Sequence, residues 1–171
     1  MNKTLFVYTD GASDQIGEVA GMGILFIYDG AAVRYALGDF DKTNNQAEYG
    51  AVIVALNEAP GVIKRFQREG YLSGNPSRMV IRTDSQLVVR QIEGLYKVKH
   101  PNMRPLHRRV LELVEGYTFP VEFEHVMREM NEEADALSKE GMAAAVKSRL
   151  ESPPDIEAEV NKTIRVVENL G

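Results

Sequence analysis

Leu5-Phe6-Val7-Tyr8-Thr9-Asp10-Gly11-Ala12-Ser13 is the stretch on which the fold turns. It is apolar on both faces through Leu5, Phe6 and Val7, which predicts a strand covered above and below and therefore central in its sheet. The strand is expected to stop on Asp10-Gly11, leaving a carboxylate at its carboxyl end. Open α/β sheets keep their binding crevices at that end. Gly11, having no Cβ, lets the backbone turn or lets a ligand come close. An Asp-Gly pair is also an ordinary turn, and the stretch alone does not separate these readings.

Downstream, a polar turn from Asp14 to Gly17 leads to a second strand, Val19 to Tyr28, in which Ala20-Gly21-Met22-Gly23 marks a place of close packing. Asp29-Gly30 signals a hairpin into a third strand, Ala32 to Phe40, with Val33, Tyr35 and Leu37 on one face and Arg34 and Ala36 on the other. Helical spacing of Ala47, Ala51, Val54 and Ala55 begins at Asn44 behind the capping residues Thr43-Asn44-Asn45, and Pro60-Gly61 is expected to end that helix. A second helical piece is expected from Val62 to Arg68. Met79 to Ser85 repeats the design of the first strand, a short apolar run ending in Thr83-Asp84 and a small residue. Then come a helix from Gln86 to Leu95, a basic linker from Tyr96 to His100 and a helix from Pro101 to Glu115. A strand from Val121 to Val126 follows, with His125 read as a packed strand residue. The last helix opens at Asn131, its acids in the first turn where the helix dipole favours them.

This order predicts an α/β fold with a mixed five-stranded sheet, three antiparallel strands then two parallel ones, the first strand in the middle and helices flanking it. A catalytic domain over 1–145 is expected, with a C-terminal extension over 146–171. Ser152-Pro153-Pro154 must break any helix there, and Asp155 to Leu170 reads as one more amphipathic helix, with Ile156, Val160, Ile164 and Val167 on one stripe, docked on its own domain.

The chain has 171 residues, 44% hydrophobic and 26% charged, the profile of one soluble domain with an appendage. A net charge of −5 argues neither for a membrane surface nor, naively, for nucleic acid. Without cysteine there is neither a disulfide nor a thiolate metal site. Met1-Asn2-Lys3 is no secretory signal and no apolar run approaches a membrane span, so a cytoplasmic monomer is expected, with self-association left to the tail.

Asp10 and Asp84 end two strands that this topology sets side by side. Glu48 leaves the first turns of one helix and Asp135 the first turn of another. If the four converge they repel one another, and hard divalent cations with oxygen ligands, Mg²⁺ above all, relieve the repulsion. Two such ions about 4 Å apart can clamp the attacking and leaving oxygens of a phosphoryl displacement. Paired carboxylates can also serve a glycosidase. Taken singly, each acid reads as one solvated carboxylate among 25.

Four stretches in register change that. Tyr8-Thr9-Asp10-Gly11-Ala12-Ser13, Thr43-Asn44-Asn45-Gln46-Ala47-Glu48, Thr83-Asp84-Ser85-Gln86 and Val126 through Asp135 together closely resemble type 1 ribonuclease H, over about Lys3 to Met142. The resemblance implies the ribonuclease H-like fold and an endonuclease (a hydrolase) that cuts the RNA strand of an RNA–DNA hybrid, leaving 5′-phosphates. It implies Asp10, Glu48, Asp84 and Asp135 as metal-binding catalytic carboxylates for two Mg²⁺ or Mn²⁺ ions when substrate is bound. It further implies that Glu48 meets the RNA 2′-hydroxyl, that Asn44, Asn45 and Gln86 read the hybrid's minor groove, and that Thr43 belongs to a pocket for a DNA-strand phosphate.

The sequence departs from many members of that family. The loop before Asp135 is short, Val126 to Met130, with no His in it, as in shorter-loop members where Arg128 could stand near the leaving phosphate. The basic protrusion is missing and there is no Trp. Lys97, Lys99, His100, Arg104, His107, Arg108 and Arg109 still form a local basic patch, of which Lys97 and Lys99 are expected to bind substrate phosphates. A catalytically silent hybrid-binding module and a same-fold nuclease for other nucleic-acid structures are the rival functions.

Overall fold

The computed structural model describes residues 3–14 and 18–151, and the backbone of 164–170. Strand β1 (Thr4–Ser13) lies inside the sheet, antiparallel to β2 (Val19–Tyr28) and parallel to β4 (Arg78–Thr83). β3 (Ala31–Phe40) continues the antiparallel side, and β5 (Val121–His125) pairs parallel with β4. The expected five-stranded mixed sheet is therefore present, with β1 central. The parallel register sets Thr9 opposite Thr83, so Asp10 and Asp84 follow from neighbouring strands at the same edge.

Helices cover both faces, which is why β1 is apolar above and below. Helix α1 (Asn44–Arg68) lays Ala51, Val52, Ala55 and Leu56 on Leu5, Val7, Ile24 and Phe26. Val33, Tyr35 and Leu37 of β3 join this core, while Ala36 faces the other cluster with Leu25 and Leu137. That second face belongs to α4 (Glu132–Glu151). The small residues of β2 make room for it: a Cβ on Gly23 would fall 2.1 Å from the Ala134 carbonyl oxygen. The short α2 (Gln86–Ile92) and α3 (Arg104–Glu115) complete the α1 side. Among the described residues no helix is long and apolar enough to cross a membrane.

Three expectations fail. Pro60 does not end α1, which runs through it to Arg68 and absorbs the second helical piece. A proline has no N–H to give the carbonyl four residues back. Here that carbonyl, on Leu56, accepts the Tyr117 hydroxyl instead. His125 is exposed rather than packed. The tail is not helical where it is described: Ile164–Leu170 forms β6, antiparallel to β3 from Val33 to Gly38 with an irregularity at Ala36/Leu37. Its β-branched run Ile164, Val166, Val167 suits a strand, and the β3 edge offers unpaired backbone groups. The sheet thus has six strands in the order β5-β4-β1-β2-β3-β6. The remainder of the expected tail helix, 152–163, lies outside the described residues, and α4 runs through position 145, where the domain boundary was expected.

Candidate active site

Asp10 is 5% exposed on β1, and Glu48 stands in the second turn of α1 above it. Gly11 brings them together. The strand does not stop there but continues to Ser13, and a Cβ on Gly11 would sit 2.2 Å from the Ala47 carbonyl carbon and 2.3 Å from the Glu48 nitrogen. The missing side chain therefore admits the backbone of α1 rather than making the turn expected from the sequence, and a backbone N–H of Gly11 reaches the Glu48 carboxylate. Asp84 follows β4 directly. Each of Asp10, Glu48 and Asp84 offers an oxygen within 4.8 Å of the other two.

Asp135 lies outside that trio but reaches Asp10, with which its carboxylate shares a side-chain hydrogen bond. Its Oδ2 accepts from Lys139 Nζ at 2.8 Å, one turn along α4, although its charge still bears on Asp10. Ser138, fully buried, has its Oγ 2.8 Å from Asp10 Oδ2 and 2.7 Å from the Asp135 carbonyl oxygen, so its one hydroxyl proton is shared between the two acceptors. Asn131 donates Nδ2 to Thr9 O at 3.0 Å, so its side chain ties α4 to β1. Asn131 was expected only as a helix cap, and Ser138 and Lys139 were not singled out. The available signal was their helical spacing of three and four residues from Asp135.

Burial, followed by the Asp10 and Asp84 charges, raises Glu48 to about 9. Burial, with the Asp84 and Asp135 charges behind it and Ser138 opposing, raises Asp10 to about 7. Few cations offset these acids: Arg128 Nε lies 3.6 Å from Asp84 Oδ2 and is 86% exposed, and Lys139 serves Asp135. An all-oxygen, under-neutralised donor set with raised proton affinity fits a hard divalent cation.

The expected substrate residues lie at the starts of α1 and α2 and in the segment between α2 and α3. Thr43 caps α1 through a reciprocal pair with Gln46. Asn44 accepts from Ser13 N at 2.7 Å and Ser13 Oγ at 3.1 Å, which uses its carbonyl inside the protein. Asn45 and Gln86 are exposed at the starts of α1 and α2, and Lys97 and Lys99 are exposed between α2 and α3.

Acids gathered at the carboxyl edge of adjacent parallel strands, with helix N-termini around them, make a site whose donors suit a hard divalent cation. The RNase H family model matches residues 2–143, and the chain belongs to that family. It is 35% identical over 137 residues to Ribonuclease HI of Halobacterium salinarum, covering 79% of this chain and 62% of the relative. It is 31% identical over 137 residues to the uncharacterized protein YpeP of Bacillus subtilis, covering 78% of this chain and 56% of that one. The chain thus spans less than two thirds of either relative. Among solved structures, LC11-RNase H1 isolated from compost superposes with a TM-score of 0.73 at 30% identity, over 85% of this chain and 99% of that one. Its crystal structure in complex with an RNA/DNA hybrid gives a TM-score of 0.66 at 27% identity, over 83% and 99%.

Proposed function

We propose that this protein is a divalent-cation-dependent endonuclease that hydrolyses the RNA strand of RNA–DNA hybrids and leaves 5′-phosphate ends. The observation that carries the proposal is the convergence of Asp10, Glu48 and Asp84 within 4.8 Å in a chain of this family. Asp10, Glu48, Asp84 and Asp135 would hold two ions, Mg²⁺ or Mn²⁺. When bound, such ions stabilise the charge that develops on the attacking and leaving oxygens.

The chain's own residues do the rest. Glu48, at the inner end of α1, accepts the RNA 2′-hydroxyl, which a DNA strand lacks. Asn44, Asn45 and Gln86 give amide donors and acceptors to the minor groove, and Thr43 receives a phosphate of the DNA strand. Arg128, exposed beside Asp84, answers the negative charge of the departing phosphate. Lys97 and Lys99 hold backbone phosphates further along. A groove of about 460 Å³ between the first turns of α1 and the start of α3, lined by Lys42, Gln46, Pro101 and Asn102 among others, is compatible with a strand lying between these groups.

End-labelled hybrid, duplex RNA and duplex DNA, each with Mg²⁺, Mn²⁺ or chelator, test the proposal. Cleavage confined to the RNA of the hybrid and abolished by chelator is expected. Comparable cutting of duplex DNA, or full activity in chelator, would refute it.

A further inference from the structure

Behind the active site a buried polar network joins three helices and has no part in the chemistry above. Tyr49, the residue after Glu48, is fully buried and donates its hydroxyl to Gln91 Oε1 at 2.8 Å. Burial pushes the Tyr49 hydroxyl up to about 12, so it stays a donor. Gln91, 7% exposed near the end of α2, then points Nε2 at the Lys97 carbonyl, 3.5 Å away. Only this amide orientation works, because a carbonyl cannot donate. The Gln91 backbone carbonyl receives His107 Nε2 of α3 at 3.0 Å, and the His107 ring stands edge-on to Tyr49.

The segment that carries Lys97 and Lys99 is fastened residue by residue. Leu95 N and Tyr96 N donate to Arg90 O at 2.8 and 3.1 Å, Gln91 takes the Lys97 carbonyl, and Arg104 Nε donates to Val98 O at 3.3 Å. Val98 packs against the core while Lys97 and Lys99 remain exposed on either side of it. The backbone is fixed and the two ammonium groups are free to meet a ligand.

We infer that Gln91 is a positioning residue for hybrid binding, locking the Lys97–Lys99 segment to α1 through Tyr49 so that both ammonium groups meet phosphates at a set distance from Glu48. This rests on the reading of Lys97 and Lys99 as phosphate contacts. Holding flexible charges in place before the ligand arrives lowers the ordering cost of binding. Loss of the lock should therefore weaken ground-state binding and leave the chemical step alone.

The experiment measures hybrid binding against salt concentration, well below each protein's melting temperature, for wild type, Lys97→Ala/Lys99→Ala, Gln91→Leu and Tyr49→Phe. Each lost phosphate contact lowers the slope of log K on log salt by about 0.9. The double lysine variant should lose about two such units, Gln91→Leu at least about half of that, and Tyr49→Phe a smaller part in the same direction. KM for hybrid should rise about five-fold in Gln91→Leu while kcat stays within about twofold. A merely structural role would lower the melting temperature and leave slope and KM unmoved. A flattened slope in the lysine variant with an unchanged slope in both Gln91→Leu and Tyr49→Phe overturns the positioning role. An unchanged slope in the lysine variant itself overturns the phosphate reading beneath it.

Discussion

Taken from water into the sheet edge, Asp10 and Glu48 hold their protons to about 7 and about 9. Both folded-state values lie above the ordinary ones of 3.8 and 4.5, so the folded state binds protons the unfolded chain has released. The associated stability is full below the ordinary carboxylate range and is lost as pH rises through the folded-state values. In chelator, the melting temperature should therefore fall as pH climbs from about 5 to about 9. Asp10→Asn should shallow that fall and melt higher at the alkaline end by about 2–4 °C, while Mg²⁺ should flatten it for the wild type. Melts with the same pH dependence in both proteins would mean that the acids do not repel. At this scale the sequence was legible wherever local wording carried the information, as at Asp10, Glu48 and Asp84. At Gly11 the turn reading fails because the packing of α1, which no short stretch records, takes up the space of the missing Cβ. Ser138 and Lys139 depend on how α4 is rotated over β2, which no short stretch records.

Elements were legible to the extent that their partners were local. Apart from the end of β1, which runs on to Ser13, the first five strands and the hairpin at Asp29-Gly30 stand where alternation and turn chemistry put them. The end of α1 does not, since a helix can run through a proline where the orphaned carbonyl finds another donor, and here Tyr117, 61 residues along the chain, reaches Leu56 O. Tyr117→Phe should cost about 1–2 kcal/mol in urea unfolding, and Pro60→Ala in that background should recover part of it by restoring the helical N–H. A neutral Tyr117→Phe would leave the continuity of α1 without this explanation. The tail was misread because its stripe of Ile and Val satisfies a helical period and a strand composition together, and the β3 edge decides between them. Ending the chain after Glu151 should preserve turnover and uncover that edge, so light scattering should report a larger mass and calorimetry a lower melt. Lost turnover with mass and melt unchanged would instead tie the tail to the catalytic site.

At the scale of the whole molecule, an acidic protein that binds a polyanion must concentrate its cations where the ligand lies. A net charge of −5 carries little information about that, because local groups set the field a ligand meets: Lys97 and Lys99 are exposed between α2 and α3, and Arg128 stands beside Asp84. On the proposed function, these acids make the chain a hybrid-specific nuclease. Single-turnover cleavage of a hybrid labelled on both strands, with Mg²⁺ and excess enzyme, tests it most directly when wild type is run beside folded Asp10→Asn. The wild type should cut the RNA strand alone, while the variant, equally able to bind, should be slower by at least about a thousandfold. Cleavage of the DNA strand, or a variant as fast as the wild type, would contradict it.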